Sequence, residues 1–202
     1  MSKTKIAHLI LAAGSSSRMG TPKQLLPWAN TTLIENAIQQ SLALENVDTF
    51  VVLGANFKLI NDRIKNSSIT ILNNTNWQSG MGSSISCGIN YIVHKDFCYD
   101  AVLISVIDQP LIEADHFSKL ITGFKEKPDH IVASDLGNRI GVPALFSKNL
   151  FSELSKFNKD YGARYLIDKY QNRTKTIPAK DIAIDVDTVE QYEALYKRKF
   201  LS

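Results

Sequence analysis

Cysteine is almost missing from this chain: Cys87 and Cys98 are the only two in 202 residues, and their spacing is not C-x-x-C. Two such thiols build neither a disulfide framework nor a zinc site, and they suit a reducing, cytoplasmic setting. Histidine is nearly as scarce. His8, His94, His116 and His130 are scattered along the sequence and read as packing or surface residues rather than metal ligands or catalytic bases. No apolar run approaches the ~20 residues of a membrane-spanning helix, so no membrane partner is expected. Charge of one sign is lacking too: 23 Lys and Arg against 20 Asp and Glu leave +3, evenly spread, which does not call for nucleic acid. The opening MSKTKIAHLILAAG has a basic start and a brief apolar run. That run flows into a polar, cationic loop instead of a cleavage site, so it reads as a buried first strand and not a signal peptide.

What is present is ordinary for a globular protein, with 44% hydrophobic and 21% charged residues. The length suits one domain over residues 1–202 with a sizeable core. Strand-like and helical patterns alternate. LIENAIQQSLAL from Leu33 carries a helical stripe, TFVVLG and SITILNN read as strands, and Asn56 to Ile64 and the stretch from Gly82 to His94 read as helices. DAVLISVID is apolar on both faces, as in a central parallel strand. A helix from Ala114 to Phe124 and the strand HIVAS follow, and a turn signal at Asp135–Asn138 before GVPALF predicts an inserted hairpin. NLFSELSKF and DYGARYLIDKY read as helical, TKTIPA and DIAIDVD as one or two short strands, and Thr188 to Lys199 as a last helix. This order predicts an α/β fold with helices on both sheet faces and ligand loops at the carboxyl ends of the strands.

The chemistry concentrates in LAAGSSSRMGTPKQLL, Leu11 to Leu26, directly after the first strand. Gly14 and Gly20 permit close approach of backbone to a ligand or a positive φ. Backbone N–H groups and the hydroxyls of Ser15, Ser16 and Ser17 can surround phosphate oxygens, while Arg18 offers a planar fork and Lys23 a mobile point charge. Neither the Walker pattern nor G-x-G-x-x-G is present. A plain Gly/Ser surface turn is the competing interpretation. Asp108 closes the apolar strand just before Gln109-Pro110, and beside a polyphosphate loop such an acid suits Mg²⁺. In DIAIDVDTVE, alternation puts Asp185 and Asp187 on one face. Asp187 reads as N-cap of the last helix with Glu190 at N3, which leaves Asp185 as the second metal acid. Gly82, Ser83 and Ser84 stand at a helix start, where they serve either a polar ligand or simple capping.

Together LAAGSSSRMGTPKQLL, NNTNWQSGMGSSI, VIDQP, GVPALFSKNLFSEL, DYGAR and DVDT resemble, in order, the MobA-like nucleotidyltransferases, from Ile6 to about Tyr192. LAAG with DQP and GVPALF looks most like the molybdenum cofactor cytidylyltransferases, whereas the guanylyltransferases typically carry LAGG. One departure is DVDTVEQY, where the family often has Pro and a second acid after Thr. The resemblance implies a Rossmann-like three-layer α/β/α fold. It implies that Ala12, Ala13 and Gly14 approach the nucleoside by backbone, that Arg18 and Lys23 hold the triphosphate, and that Gly82, Ser83 and Ser84 lie near base or ribose, with Asn56 a further contact. Asp108 and Asp185 match the Mg²⁺ acids. The implied reaction is attack by the phosphate of molybdopterin or molybdenum cofactor on the α-phosphorus of CTP, with release of pyrophosphate. A transient contact with a molybdenum hydroxylase or its chaperone goes with it. Guanylyl transfer, a sugar-phosphate or alcohol-phosphate acceptor, and a non-catalytic nucleotide-binding chaperone are the alternatives.

Overall fold

The computed structural model describes residues 4–65, 67–95, 98–158 and 162–201. In chain order the strands and helices are β1 (Ile6–Ala12), β2 (Pro27–Trp28), β3 (Thr31–Thr32), α1 (Leu33–Leu42), β4 (Val47–Leu53), α2 (Phe57–Ile64), β5 (Thr70–Asn73), α3 (Met81–His94), β6 (Ala101–Val106), α4 (Ala114–Glu126), β7 (Ile131–Asp135), β8 (Ile140–Ser147), α5 (Phe151–Leu154), α6 (Arg164–Lys169), β9 (Thr174–Pro178) and α7 (Val189–Phe200).

Seven strands form one sheet in the order β5-β4-β1-β6-β8-β7-β9. The strands β1, β4, β5 and β6 run parallel, and β9 is parallel to β7, while β8 is antiparallel to both its neighbours. The expected hairpin is thus β7–β8, and it lies within the central sheet. The same pairing qualifies the expectation for DAVLISVID: β6 is central and buried, parallel to β1 on one side and antiparallel to β8 on the other.

Alternation along β1 explains the layers. Ala7, Leu9 and Leu11 pack with Ile85, Ile89 and Ile92 of α3 on one face. On the other, Ile10 and Ala12 meet Ile34 and Ile38 of α1 and Ile60 and Ile64 of α2, and Ile6 joins Phe117, Leu120 and Phe124 of α4. Burial at both faces is why these strands read as continuous apolar runs. From β1 the chain winds out through β4 to β5 and then returns to the other side of β1 as β6. The crevice at the carboxyl ends of β1 and β6 is therefore the switch point at which doubly wound sheets bind ligands.

Three expectations need correction. DIAIDVD is no strand: Ile182 and Ala183 N–H both turn back to the Ala179 carbonyl. The segment then runs across the end of β6, where Val186 N–H donates to the Asp108 carbonyl at 2.8 Å. Asp187 is not the cap of the last helix. Thr188 is, in a capping box with Gln191. NLFSELSKF yields only the short α5 after a 3₁₀ turn, and in DYGARYLIDKY the helix starts at Arg164, with Asp160 and Tyr161 outside the described residues.

Candidate active site at the switch point

Two adjoining cavities open at this crevice. The first, about 180 Å³, lies between the end of β1 and the loop after it (Ala12, Ala13, Gly14), the start of α3 (Met81, Ser84) and the end of β6. The second, about 320 Å³, lies between Asp108, Gln109, the β7–β8 hairpin (Arg139, Ile140) and the acids Asp185 and Asp187. Met81, Val106 and Asp108 line both.

Lys23 lines the first cavity and reaches Asp108 on that shared wall. Its Nζ donates to Asp108 Oδ2 at 2.8 Å, Asp187 Oδ1 at 3.2 Å and the Val186 carbonyl at 3.2 Å. The Lys23 side chain is 13% exposed and that of Asp108 25%. Burial alone would lower the Lys23 ammonium, but Asp108 and Asp187 reverse this and hold it above the ordinary lysine value. Burial pushes the Asp108 carboxyl up; Lys23 opposes the shift without cancelling it, and Asp185 and Asp187 add to it. Lys23 is thus the one ammonium that opposes the cost of burying the Asp108 charge.

Asp187, set aside in favour of Asp185 because of a capping role it does not have, is the acid that shares Lys23 with Asp108, and Arg18 lies 3.4 Å from it. Asp185 is in the same cavity with both oxygens engaged, Oδ1 by Gln109 Nε2 at 2.9 Å and Oδ2 by Arg139 at 3.0 Å. Arg18 itself is 69% exposed at the mouth of the site.

The remaining predicted residues divide. Ala12, Ala13, Gly14, Lys23 and Ser84 line the first cavity. A Cβ placed on Gly14 would meet nothing within 4 Å, so the space before it belongs to no side chain and is open to a ligand. The αL conformation in the loop falls at Gly20 (φ 67°) and Ser16 (φ 56°). Gly82 and Ser83 do not line either cavity. The Ser83 hydroxyl is spent inside its own loop, accepting from Asn74 Nδ2 and donating to the Gly80 carbonyl at 2.8 Å. Asn56 is exposed and lines neither cavity.

Sequence reasoning did not single out Gln24, Trp77, Gln109 or Arg139, which line the two cavities, and it set Asp187 aside. For Asp187 a signal existed: Thr188-x-x-Gln191 is itself a capping box, which moves the cap one residue on and frees the acid. Arg139 ends the recognised turn after β7. The others depend on distant partners and leave no local pattern.

A family model for the MobA-like NTP transferase domain matches residues 8–174. The chain is 29% identical over 197 residues to nicotine blue oxidoreductase of Paenarthrobacter nicotinovorans, covering 92% of this chain and 94% of that one. It is 25% identical over 185 residues to molybdenum cofactor cytidylyltransferase of Escherichia coli K12, covering 91% and 92%. In structure it matches a Mycobacterium sp. strain JC1 homologue of Mycobacterium tuberculosis Rv0371c with a TM-score of 0.81 and 26% identity, covering 96% of each chain. Rv0371c itself, in complex with manganese, matches in fold at a TM-score of 0.76 and 20% identity over 96% of this chain and 99% of that one. With the motif loop, the switch-point site and a family match over most of its length, the chain belongs to the MobA-like NTP transferase domain family.

Proposed function

We propose that this nucleotidyltransferase moves CMP from CTP onto the phosphate of molybdopterin or molybdenum cofactor and releases pyrophosphate. The observation that carries the reading is the Lys23–Asp108 contact on the wall shared by two cavities. One cavity takes the nucleoside triphosphate and the other the acceptor, so the reacting phosphates meet where charge is already managed. The 25% identical relative named a molybdenum cofactor cytidylyltransferase supports base and acceptor.

The acceptor phosphate needs no base. Its second pKa is about 6, so it is an anion at neutral pH. The histidines agree: none lines either cavity, and His8 and His116 are buried on serine hydroxyls. Catalysis is then positioning and charge neutralisation. Backbone of Ala12–Gly14 holds the nucleotide on its phosphate side, Lys23 and Arg18 stabilise the leaving pyrophosphate, and Ser84 faces the nucleoside. Asp108 and Asp187 present hard oxygen donors around a position that the Lys23 ammonium bridges, a donor set that fits Mg²⁺ or Mn²⁺. Asp185 lines the same cavity, with its two oxygens held by Gln109 and Arg139. A metal held there would supply charge neutralisation for the phosphates. A cytoplasmic location, and passage of the product to a molybdenum hydroxylase or its chaperone, belong to the same reading.

A second reading has one observation in its favour: the relative at 29% identity is named an oxidoreductase. That reading leaves the cationic loop and the acids around Lys23 without a polyphosphate to serve, and the sequence lacks the dinucleotide fingerprint. Pyrophosphate release measured with CTP, GTP, UTP and ATP, with and without molybdopterin, separates them when NADH oxidation is followed in parallel. Acceptor-dependent release, fastest with CTP, is the expected result. Preference for GTP favours the guanylyl alternative, and NADH oxidation without release from any triphosphate favours the oxidoreductase.

A further inference from the structure

Gln24 is 1% exposed, follows Lys23 in the chain, and belongs to none of the charge-bearing groups above. Its Nε2 donates to the Ala12 carbonyl at 2.8 Å and to the Gly14 carbonyl at 2.9 Å. Its Oε1 accepts from the Ser16 hydroxyl at 3.3 Å, and Ser16 Oγ in turn accepts from Lys23 N–H at 2.9 Å. The orientation of the amide is settled by its partners, because carbonyls only accept. The result is a closed circuit: Gln24 grips both ends of Ala12–Ala13–Gly14, and Ser16 ties that grip back to the backbone of Lys23. Ser16 holds φ 56° in this arrangement, a strained conformation for a residue with a Cβ.

Peptide planarity gives the circuit a consequence. In a trans peptide the C=O and the following N–H leave on opposite edges. With the Ala12 and Gly14 carbonyls turned to Gln24, the Ala13 and Ser15 N–H groups leave from the other edge, and no described residue accepts from Ser15 N–H. The Ala13 carbonyl is separately fixed by Ala55 N–H at 3.0 Å, so the loop cannot rotate as a whole.

We propose that Gln24 is a positioning residue for the triphosphate: it holds the 12–15 backbone donors-outward and in register with Lys23. The proposal rests on the transferase reading only in that a polyphosphate binds this loop. Without the side-chain amide, the two carbonyls lose their donors and the peptides are free to flip, presenting oxygen where the anion needs N–H.

Calorimetric binding of inorganic tripolyphosphate and of CMP to the full chain, wild type against Gln24→Met, tests this. Tripolyphosphate affinity is expected to fall at least tenfold with CMP affinity changed less than threefold, and in turnover KM for the triphosphate to rise while kcat stays within threefold. Should Gln24→Met fail to fold, Ser16→Ala removes the Oε1 tether together with the acceptor for Lys23 N–H, and is expected to weaken tripolyphosphate in the same selective way. Unchanged tripolyphosphate affinity, or equal loss for both ligands, overturns the proposal, since a merely structural glutamine would weaken every ligand alike. Failure of the transferase reading shows separately, as a wild type that binds tripolyphosphate but transfers no nucleotide.

Discussion

At the scale of single residues, the site is a problem in charge. Three carboxylates, Asp108, Asp185 and Asp187, line one cavity, and the ammonium of Lys23 is bonded to two of them. Because burial raises Asp108, its charged form is a cost to the fold. Asp108→Asn is therefore expected to keep or raise Tm, with Lys23 still paired to Asp187, while activity falls by ~10²–10³. Lys23→Met should lose activity to the same extent but lower Tm, because it leaves the acids uncompensated. A calorimetric scan of the two variants checks the opposite signs, and equal Tm losses would contradict the assigned roles. Arg18→Ala, at an exposed pair, should leave Tm unchanged and raise KM for the triphosphate. Lys23, Arg18 and Asp108 were legible in the sequence because cationic loop and strand-end acid each carry a local pattern. Asp187 was hidden behind a capping role that Thr188 in fact fills. Gln24 has no pattern at all, since its partners are backbone carbonyls some ten residues away.

At the scale of elements, the first cavity depends on how closely β4 approaches the loop before α3. A Cβ on Gly54 would stand 2.5 Å from Trp77 Cβ and 2.9 Å from Ala13 Cβ, and neither atom is the free end of a flexible chain. Gly54→Ala should therefore cost about 1–3 kcal/mol by overpacking. It should also raise KM for the triphosphate by displacing Trp77 and Ala13 from the cavity wall; denaturant unfolding with initial-rate kinetics measures both, and a variant with wild-type values would contradict the tight approach. Thr188→Ala removes the α7 cap and should cost ~1 kcal/mol. The strands and helices up to β8 were readable because apolar periodicity and turn residues are local. The segment from Asp181 to Asp187 was not: its alternation mimics a strand, yet the Ile182 and Ala183 N–H groups go to the Ala179 carbonyl and that of Val186 to the Asp108 carbonyl. The place of β8 between β6 and β7 was equally invisible, because pairing order is decided by the whole sheet.

At the scale of the whole molecule, two buried histidines make stability depend on pH. His8 sits between Ser41 and Ser105 hydroxyls, and burial lowers it to about 3. His116 is lowered to about 4 by burial and by Lys119. The fold favours both imidazoles neutral, whereas the unfolded chain takes up protons below its ordinary value of about 6.5. Stability from these groups is thus full above about 6.5 and is lost as pH falls toward the lowered values. Urea midpoints should drop between about pH 7.5 and pH 5, and a flat or rising midpoint would contradict the neutral assignment. Function also belongs to this scale, because the site exists only where β1, β6 and the segment before α7 meet. The most direct test follows the phosphorus: CTP labelled at the α- or the γ-phosphate is incubated with the protein, metal and molybdopterin. Label from the α position is expected in the acceptor product and label from the γ position in pyrophosphate. Label from the γ position on the acceptor, or from neither position, would contradict nucleotidyl transfer at this site.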